Sequence, residues 1–281
     1  MRARTLICSA ALVILVAGWL QALLRALPPP FDDTTALVIP AARMELYPGG
    51  AKGAPLPANF SGVLALNERL RKARRFFKGV VVGSESVALT DTGSLVMIDR
   101  RGFVFRAHPR RVASMRGDST GKPEERLEYE LELPPRYVGP GRPLGFHVVG
   151  DDLFICDSLK GLLRLGLRSG VLEVISNAVH DDEGRAAPFH YANDLDVARD
   201  GTIYFTSCTD HPVARNPSGF YDTLRSYLLS AVTGDASGRL LRYDPSTRKT
   251  TVVLDGLSYA NGVALSADES FVAVAETNHA R

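Results

Sequence analysis

Three oxygen-bearing side chains recur at one register. Glu85 stands two residues ahead of an apolar run that starts at Val87, Asn193 two ahead of Leu195, and Asn261 two ahead of Val263. A carboxylate and two amide carbonyls are hard donors, suited to Ca²⁺ or a similar divalent ion rather than to a soft metal. The plainer account is that these residues only begin strands, since Asn193-Asp194 and Asn261-Gly262 are turn-prone pairs. Spacing alone leaves both accounts open.

The elements that would position them repeat along the chain. Val87–Asp99, Gly145–Asp157, Leu195–Ser207 and Val263–Ala275 each read as an apolar strand, a polar turn with Asp, and a second apolar strand. That is a hairpin signature. Further strand pairs fill the gaps, at 161–165 with 171–175 and at 238–243 with 250–254. Four-stranded sheets recurring at this period are what a β-propeller requires. The expected class is therefore all-β, with no comparable helical periodicity in this region; the fixed repeat argues against a β-sandwich. In a propeller the first strand of each blade lines the central channel, so Glu85, Asn193 and Asn261 would converge there. The second hairpin has Pro143 at that position, which cannot serve.

The 281 residues are 45% hydrophobic and 23% charged, a balance with enough apolar surface for a core and none of the signature of disorder. A net charge of +2 gives no electrostatic footprint for nucleic acid. Residues 5–24, TLICSAALVILVAGWLQALL, carry no charge, and as a helix would be about 30 Å long, enough to cross a bilayer core. The run ends in Leu23-Leu24-Arg25, a poor cleavage site, so an uncleaved signal anchor is expected over residues 1–27 rather than a cleaved signal peptide. The bulk of the chain is then expected in the lumen or outside, in the endoplasmic reticulum or later along the secretory route. The glycosylation sequon at Asn59 agrees with that orientation. Residues 28–78 read as a linker followed by a short basic segment, 67–78, with the spacing of a helix, and 79–281 as the strand-rich domain. Of the three cysteines, Cys8 lies in the apolar stretch. Cys156 and Cys208 show no metal-type spacing and are expected as separate thiols, with a disulfide between them as the alternative.

The same residues carry a family likeness. Ser84-Glu85-Ser86-Val87-Ala88, Gly141-Arg142-Pro143-Leu144-Gly145, Asp157–Leu162, Asn193-Asp194-Leu195, Tyr204-Phe205-Thr206, Gly238-Arg239-Leu240-Leu241, Tyr259–Val263 and Val274-Ala275-Glu276-Thr277 resemble, in order, the strictosidine-synthase-like family. The resemblance implies a six-bladed propeller with a divalent metal at its centre, and Glu85, Asn193 and Asn261 match the family's metal positions. It also implies an incomplete ring, about four blades, with a fourth protein ligand expected from a missing C-terminal part. Related paraoxonases and lactonases use such a metal to polarise an ester or lactone carbonyl. Leu144 stands where paraoxonases carry a histidine, and His147 and His190 are the candidates to replace it as catalytic base.

The expected function is a membrane-anchored, metal-dependent esterase or lactonase taking a small ester or lactone at the channel. A non-catalytic tethered binding propeller and an amine–aldehyde condensing enzyme are the alternatives; the three retained oxygen ligands favour the hydrolase over the condensing enzyme. The partners expected are that small molecule and the bilayer, with no nucleic acid.

Overall fold

The computed structural model describes residues 73–117 and 123–281, with 65, 67, 68 and 71 ahead of them. The apolar stretch at 5–24, Cys8 and the sequon at Asn59 lie outside the described residues. Among the described residues no helix is long and apolar enough to cross a membrane.

The described chain is mostly strand, arranged as successive antiparallel meanders. The first sheet holds β1 (Val87–Leu89), β2 (Leu95–Ile98), β3 (Phe103–Gly117) and β4 (Pro123–Leu131) in that order, with β5 (Arg136–Tyr137) also on β3. The second runs β6 (Pro143–Val149), β7 (Asp152–Asp157), β8 (Gly161–Gly166), β9 (Leu172–Ser176). Two small strands, β10 (Ala178–His180) and β11 (Ala186–Pro188), pair with each other. The third sheet begins with β12 (Ala192–Val197) and β13 (Ile203–Ser207). An insertion follows, made of the hairpin β14 (Ala214–Arg215) with β15 (Tyr221–Asp222) and the helix α1 (Thr223–Thr233). The sheet then resumes with β16 (Gly238–Asp244) and β17 (Lys249–Leu257). The last pair is β18 (Ala260–Leu265) with β19 (Val272–Glu276). All four expected hairpins and both expected strand pairs are present. The long β3–β4 hairpin and α1 were not foreseen.

The first strands of the four sheets stand side by side: β6 packs beside β1 and β12, and β12 beside β18. The cores lie between neighbouring sheets. On β7, Leu153 and Ile155 face Val96, Ile98 and Val104 of the first sheet, while Cys156 faces Leu195, Ile203 and Phe205 of the third. A strand covered on both faces has no solvent side to alternate with, which is why β7 reads as an apolar run.

Polar links cross from sheet to sheet where the first strands pass. Asp194 Oδ2 accepts from the Val263 backbone N–H at 3.1 Å, and Asp196 Oδ2 from that of Leu265 at 2.9 Å. On its other side Asp196 meets His147 Nδ1 at 3.1 Å. Thr206 Oγ1 donates to the Asn261 carbonyl at 2.5 Å. β12 is thus bonded to both neighbours through side chains rather than by a backbone ladder.

The expected helix over the basic segment is not found in its described part. Residues 73–76 carry no helix, and Phe77 takes the left-handed backbone conformation (φ 55°), which ends any helical run. The segment is held instead by β4: Arg74 donates to Glu128 at 2.6 Å and to the Leu127 carbonyl at 3.0 Å, and Phe76 meets Tyr129 edge-on at 5.5 Å. Cys156 and Cys208 are free and buried, as two separate thiols.

The approach of β6 to β12 leaves no room for a side chain at Gly145. A Cβ there would lie 2.7 Å from the Asp194 Cα and 2.8 Å from the Asn193 carbonyl oxygen, both backbone atoms that cannot swing aside. Gly145→Ala should therefore destabilise the fold by about 1–3 kcal/mol, read as a lowered urea midpoint with an unchanged slope.

Candidate active-site cavity

The three predicted donors share one local construction. Two residues before each, the backbone turns left-handed: Gly83 (φ 67°) before Glu85, Tyr191 (φ 53°) before Asn193, and Tyr259 (φ 63°) before Asn261. After it, on the two asparagine strands, pairing slips by a bulge, between Ala192 and Leu195 and between Ala260 and Val263. A bulge re-aims a side chain away from the pleat. The second sheet carries the same bulge, between Pro143 and Phe146, at the position that offers no donor.

A tyrosine in the left-handed region is strained, and its surroundings must hold it there. Tyr259 donates to the Tyr191 hydroxyl at 2.7 Å, and the two rings meet edge-on at 5.7 Å. The Tyr191 carbonyl accepts from Cys208 N–H at 3.0 Å, and that of Tyr259 from Thr277 N–H at 3.1 Å. Burial pushes both phenols well above their ordinary range, so both stay neutral. The triplet Tyr-Ala-Asn occurs at 191–193 and again at 259–261. That repeat marks the tyrosines in the sequence just as it marks the asparagines.

Glu85, Asn193 and Asn261 line one cavity of ≈ 250 Å³. Leu144, Tyr191 and Tyr259 form its wall, and Thr223, Leu224 and Tyr227 of α1 its rim, with the Tyr227 ring edge-on to Tyr259 at 5.2 Å. Arg142 completes the lining. Helix α1 forms because Asp222 caps it, accepting from Leu224 N–H at 2.9 Å, and it stops at left-handed Gly234. It escaped the periodicity reading because its buried face is Ser226, Leu229 and Ser230, while Leu224, Leu228 and Val232 are exposed. Larger clefts lie elsewhere among the described residues, but none of them is lined by Glu85, Asn193 or Asn261.

The floor is polar and only partly satisfied. Asn193 Nδ2 donates to Asn261 Oδ1, and Asn261 Nδ2 to Thr277 Oγ1 at 3.0 Å. Asn193 is near enough to the buried Cys208 thiol to oppose the rise that burial imposes on it. Among the described residues Glu85 makes no ion pair; burial pushes its carboxyl up, Arg142 opposes this and Asp194 adds to it. Its surface is nevertheless open to the cavity, so solvent there blunts the effect. The donor set fits a hard cation: one carboxylate without a partner and two amide oxygens, with a cation replacing the Asn193–Asn261 hydrogen bond. Among the described residues no cluster of three or more His, Cys, Asp or Glu offers a rival site.

The two histidines are elsewhere. His147 lies four residues along β6 from Pro143, paired with Asp196, and His190 is exposed, with its carbonyl accepting from Ser207 Oγ at 2.6 Å. Neither lines the cavity.

Residues 193–281 match the family model described as strictosidine synthase. The chain is 36% identical over 201 residues to Protein STRICTOSIDINE SYNTHASE-LIKE 10 of Arabidopsis thaliana, covering 69% of this chain and 49% of that protein. It is 33% identical over 236 residues to the adipocyte plasma membrane-associated protein of Homo sapiens, covering 81% of this chain and 51% of that one. The chain belongs to the strictosidine-synthase-like family. It spans about half the length of these curated relatives. A solved putative gluconolactonase covers 70% of this family member and is itself covered over 57%, at 14% identity and a TM-score of 0.44, a likeness too loose to argue from.

Two outcomes check the construction of the cavity in this strictosidine-synthase-like chain. Tyr259→Phe should cost about 0.5–1.5 kcal/mol, since it leaves the buried Tyr191 hydroxyl without its donor; a thermal melt reads it. The second concerns Asp157, whose buried carboxylate accepts from Leu159 and Lys160 N–H at 3.0 Å each. Burial is the largest influence on this carboxyl and pushes it up. The unfolded chain releases that proton near the ordinary value of about 3.9, the folded chain at higher pH. The folded state therefore binds it more tightly, and the residue's contribution falls as pH rises through that window. Relative to Asp157→Asn, the wild type should lose stability as pH rises above about 4, the ordinary aspartate value, compared by urea midpoints.

Proposed function

We propose that this chain is part of a six-bladed propeller hydrolase, anchored in a membrane through residues 5–24 with its propeller in the lumen or outside, that cleaves a small ester or lactone in the cavity. The supporting observation is the convergence of Glu85, Asn193 and Asn261, from three sheets, on one cavity with an aromatic wall. Ca²⁺ is the proposed cofactor, held by these three side chains. When bound, such an ion supplies Lewis-acid polarisation of an ester carbonyl.

The chain's own residues do the rest. Tyr191, Tyr227, Tyr259 and Leu144 cover the apolar part of a substrate and exclude water from it. The paired tyrosine hydroxyls fix the backbone from which Asn193 and Asn261 project, so the donors are pre-organised.

One observation favours a second reading. No histidine lines the cavity, so the general base that a paraoxonase-like mechanism uses has no counterpart there. A tethered propeller that binds a small ligand without turning it over would have this cavity too.

Melting of the full chain in detergent separates the two. Ca²⁺ bound only by the folded state should raise stability by about 2.7 kcal/mol at a hundred times Kd, and Asn193→Ala with Asn261→Ala should abolish the shift. Hydrolysis of phenyl acetate or a γ-lactone should vanish with EDTA and return with Ca²⁺. No melting shift with Ca²⁺, Mg²⁺ or Zn²⁺ together with no hydrolysis under any metal condition would leave only the binding module, and full activity in EDTA would overturn the metal's role.

A further inference from the structure

Arg142 is the one cationic side chain in the cavity, and its environment is unusual. Its backbone is clamped: the carbonyl accepts from Ser158 N–H and from Ser158 Oγ, each at 2.9 Å. Its side chain is not. The guanidinium makes a single long hydrogen bond, 3.4 Å to the Gly83 carbonyl, and among the described residues no carboxylate pairs with it. Glu85 is near enough to act on its charge, yet no ion pair joins them. A guanidinium has five N–H donors in a planar fork. Here most of them have no protein partner, on a side chain whose backbone cannot drift, beside a cavity. The rest of the lining is divided: three tyrosines, Leu144 and Leu224 give it an apolar side, and Glu85, Asn193, Asn261 and Thr223 a polar one, where the Glu85 carboxylate opposes an anion and Arg142 must outweigh it. Apart from that one long bond to Gly83, the Arg142 side chain takes no part in the fold's own hydrogen bonding.

We propose that Arg142 is the anion-recognition residue of this cavity and that its ligand is a small, largely apolar carboxylic acid. The guanidinium takes the carboxylate through two parallel hydrogen bonds, and the tyrosine rings take the apolar body. The first turn of α1 lies at the same rim, and its dipole adds positive potential, which the Asp222 cap partly offsets. This rests on and deepens the hydrolase reading: the preferred ester or lactone then carries a free carboxylate. The preference itself is a matter of binding and stands without turnover.

The test therefore uses probes that cannot be hydrolysed, in EDTA so that no metal contributes. Binding of 3-phenylpropionate and of its neutral isostere 3-phenylpropionamide to the full chain in lipid nanodiscs is measured by titration calorimetry. The acid should bind at least about tenfold tighter than the amide, the scale of a charge-assisted bidentate contact. Arg142→Gln should collapse that ratio to within about twofold, and Arg142→Lys should restore only part of it, because an ammonium lacks the fork. Equal affinity of acid and amide in the wild type, no binding of the acid, or an unchanged ratio in Arg142→Gln would overturn the proposal. The wild-type comparison decides alone if Arg142→Gln does not fold. Acid binding that depends on Arg142, with no ester turned over under any metal condition, would sink the hydrolase reading and leave this one standing.

Discussion

The close passage of β12 between β6 and β18 is the constraint on which the rest depends. Gly145 admits the backbone of Asn193 and Asp194 from one side, and Asp194 and Asp196 reach the backbone N–H groups of Val263 and Leu265 on the other. Among the described residues these successive meanders have no ladder of hydrogen bonds joining one sheet to the next. Their register from sheet to sheet must come from core packing and from side-chain links such as these. Because those links sit on the first strands, they fix the relative height of the bulges, and hence whether Asn193 and Asn261 meet. Fold and site are positioned by the same few atoms.

The cavity also carries its charges in an unresolved state. Glu85 and Arg142 have opposite sign and share a small space, yet neither is satisfied by the other. Opposite charges that face a common opening without closing on each other leave room for something to come between. The tyrosine pair supports this arrangement from behind, as a neutral, rigid wall that contributes hydrogen bonds without adding charge.

Much of this was legible in the sequence, for identifiable reasons. The hairpins at Val87–Asp99, Gly145–Asp157, Leu195–Ser207 and Val263–Ala275 were readable because each apolar run ends at a polar turn with Asp, and in the first three also Gly, where strand chemistry is local. The convergence of Glu85, Asn193 and Asn261 was readable because a repeat places equivalent positions at equivalent places. Helix α1 was not, since its burial runs against its apolar pattern: serines face inward and leucines outward. Tertiary context sets that choice. Arg142 was quoted as part of a motif without a role, because nothing local says that an arginine will lack a partner. The basic segment at 67–78 looked helical by spacing, but Phe76 and Arg74 find stronger partners on β4, residues distant in sequence.

Cys156 and Cys208 show what this packing does to reactive groups. Both thiols are fully enclosed, and burial raises them well above their ordinary range. Exchange with a disulfide requires a thiolate and a path for the incoming sulfur. The fold withholds both, so these cysteines stay reduced by isolation, even where the surroundings are oxidising. Cys208 is buried close to Asn193, so any alkylation of it would report an opening of the cavity floor.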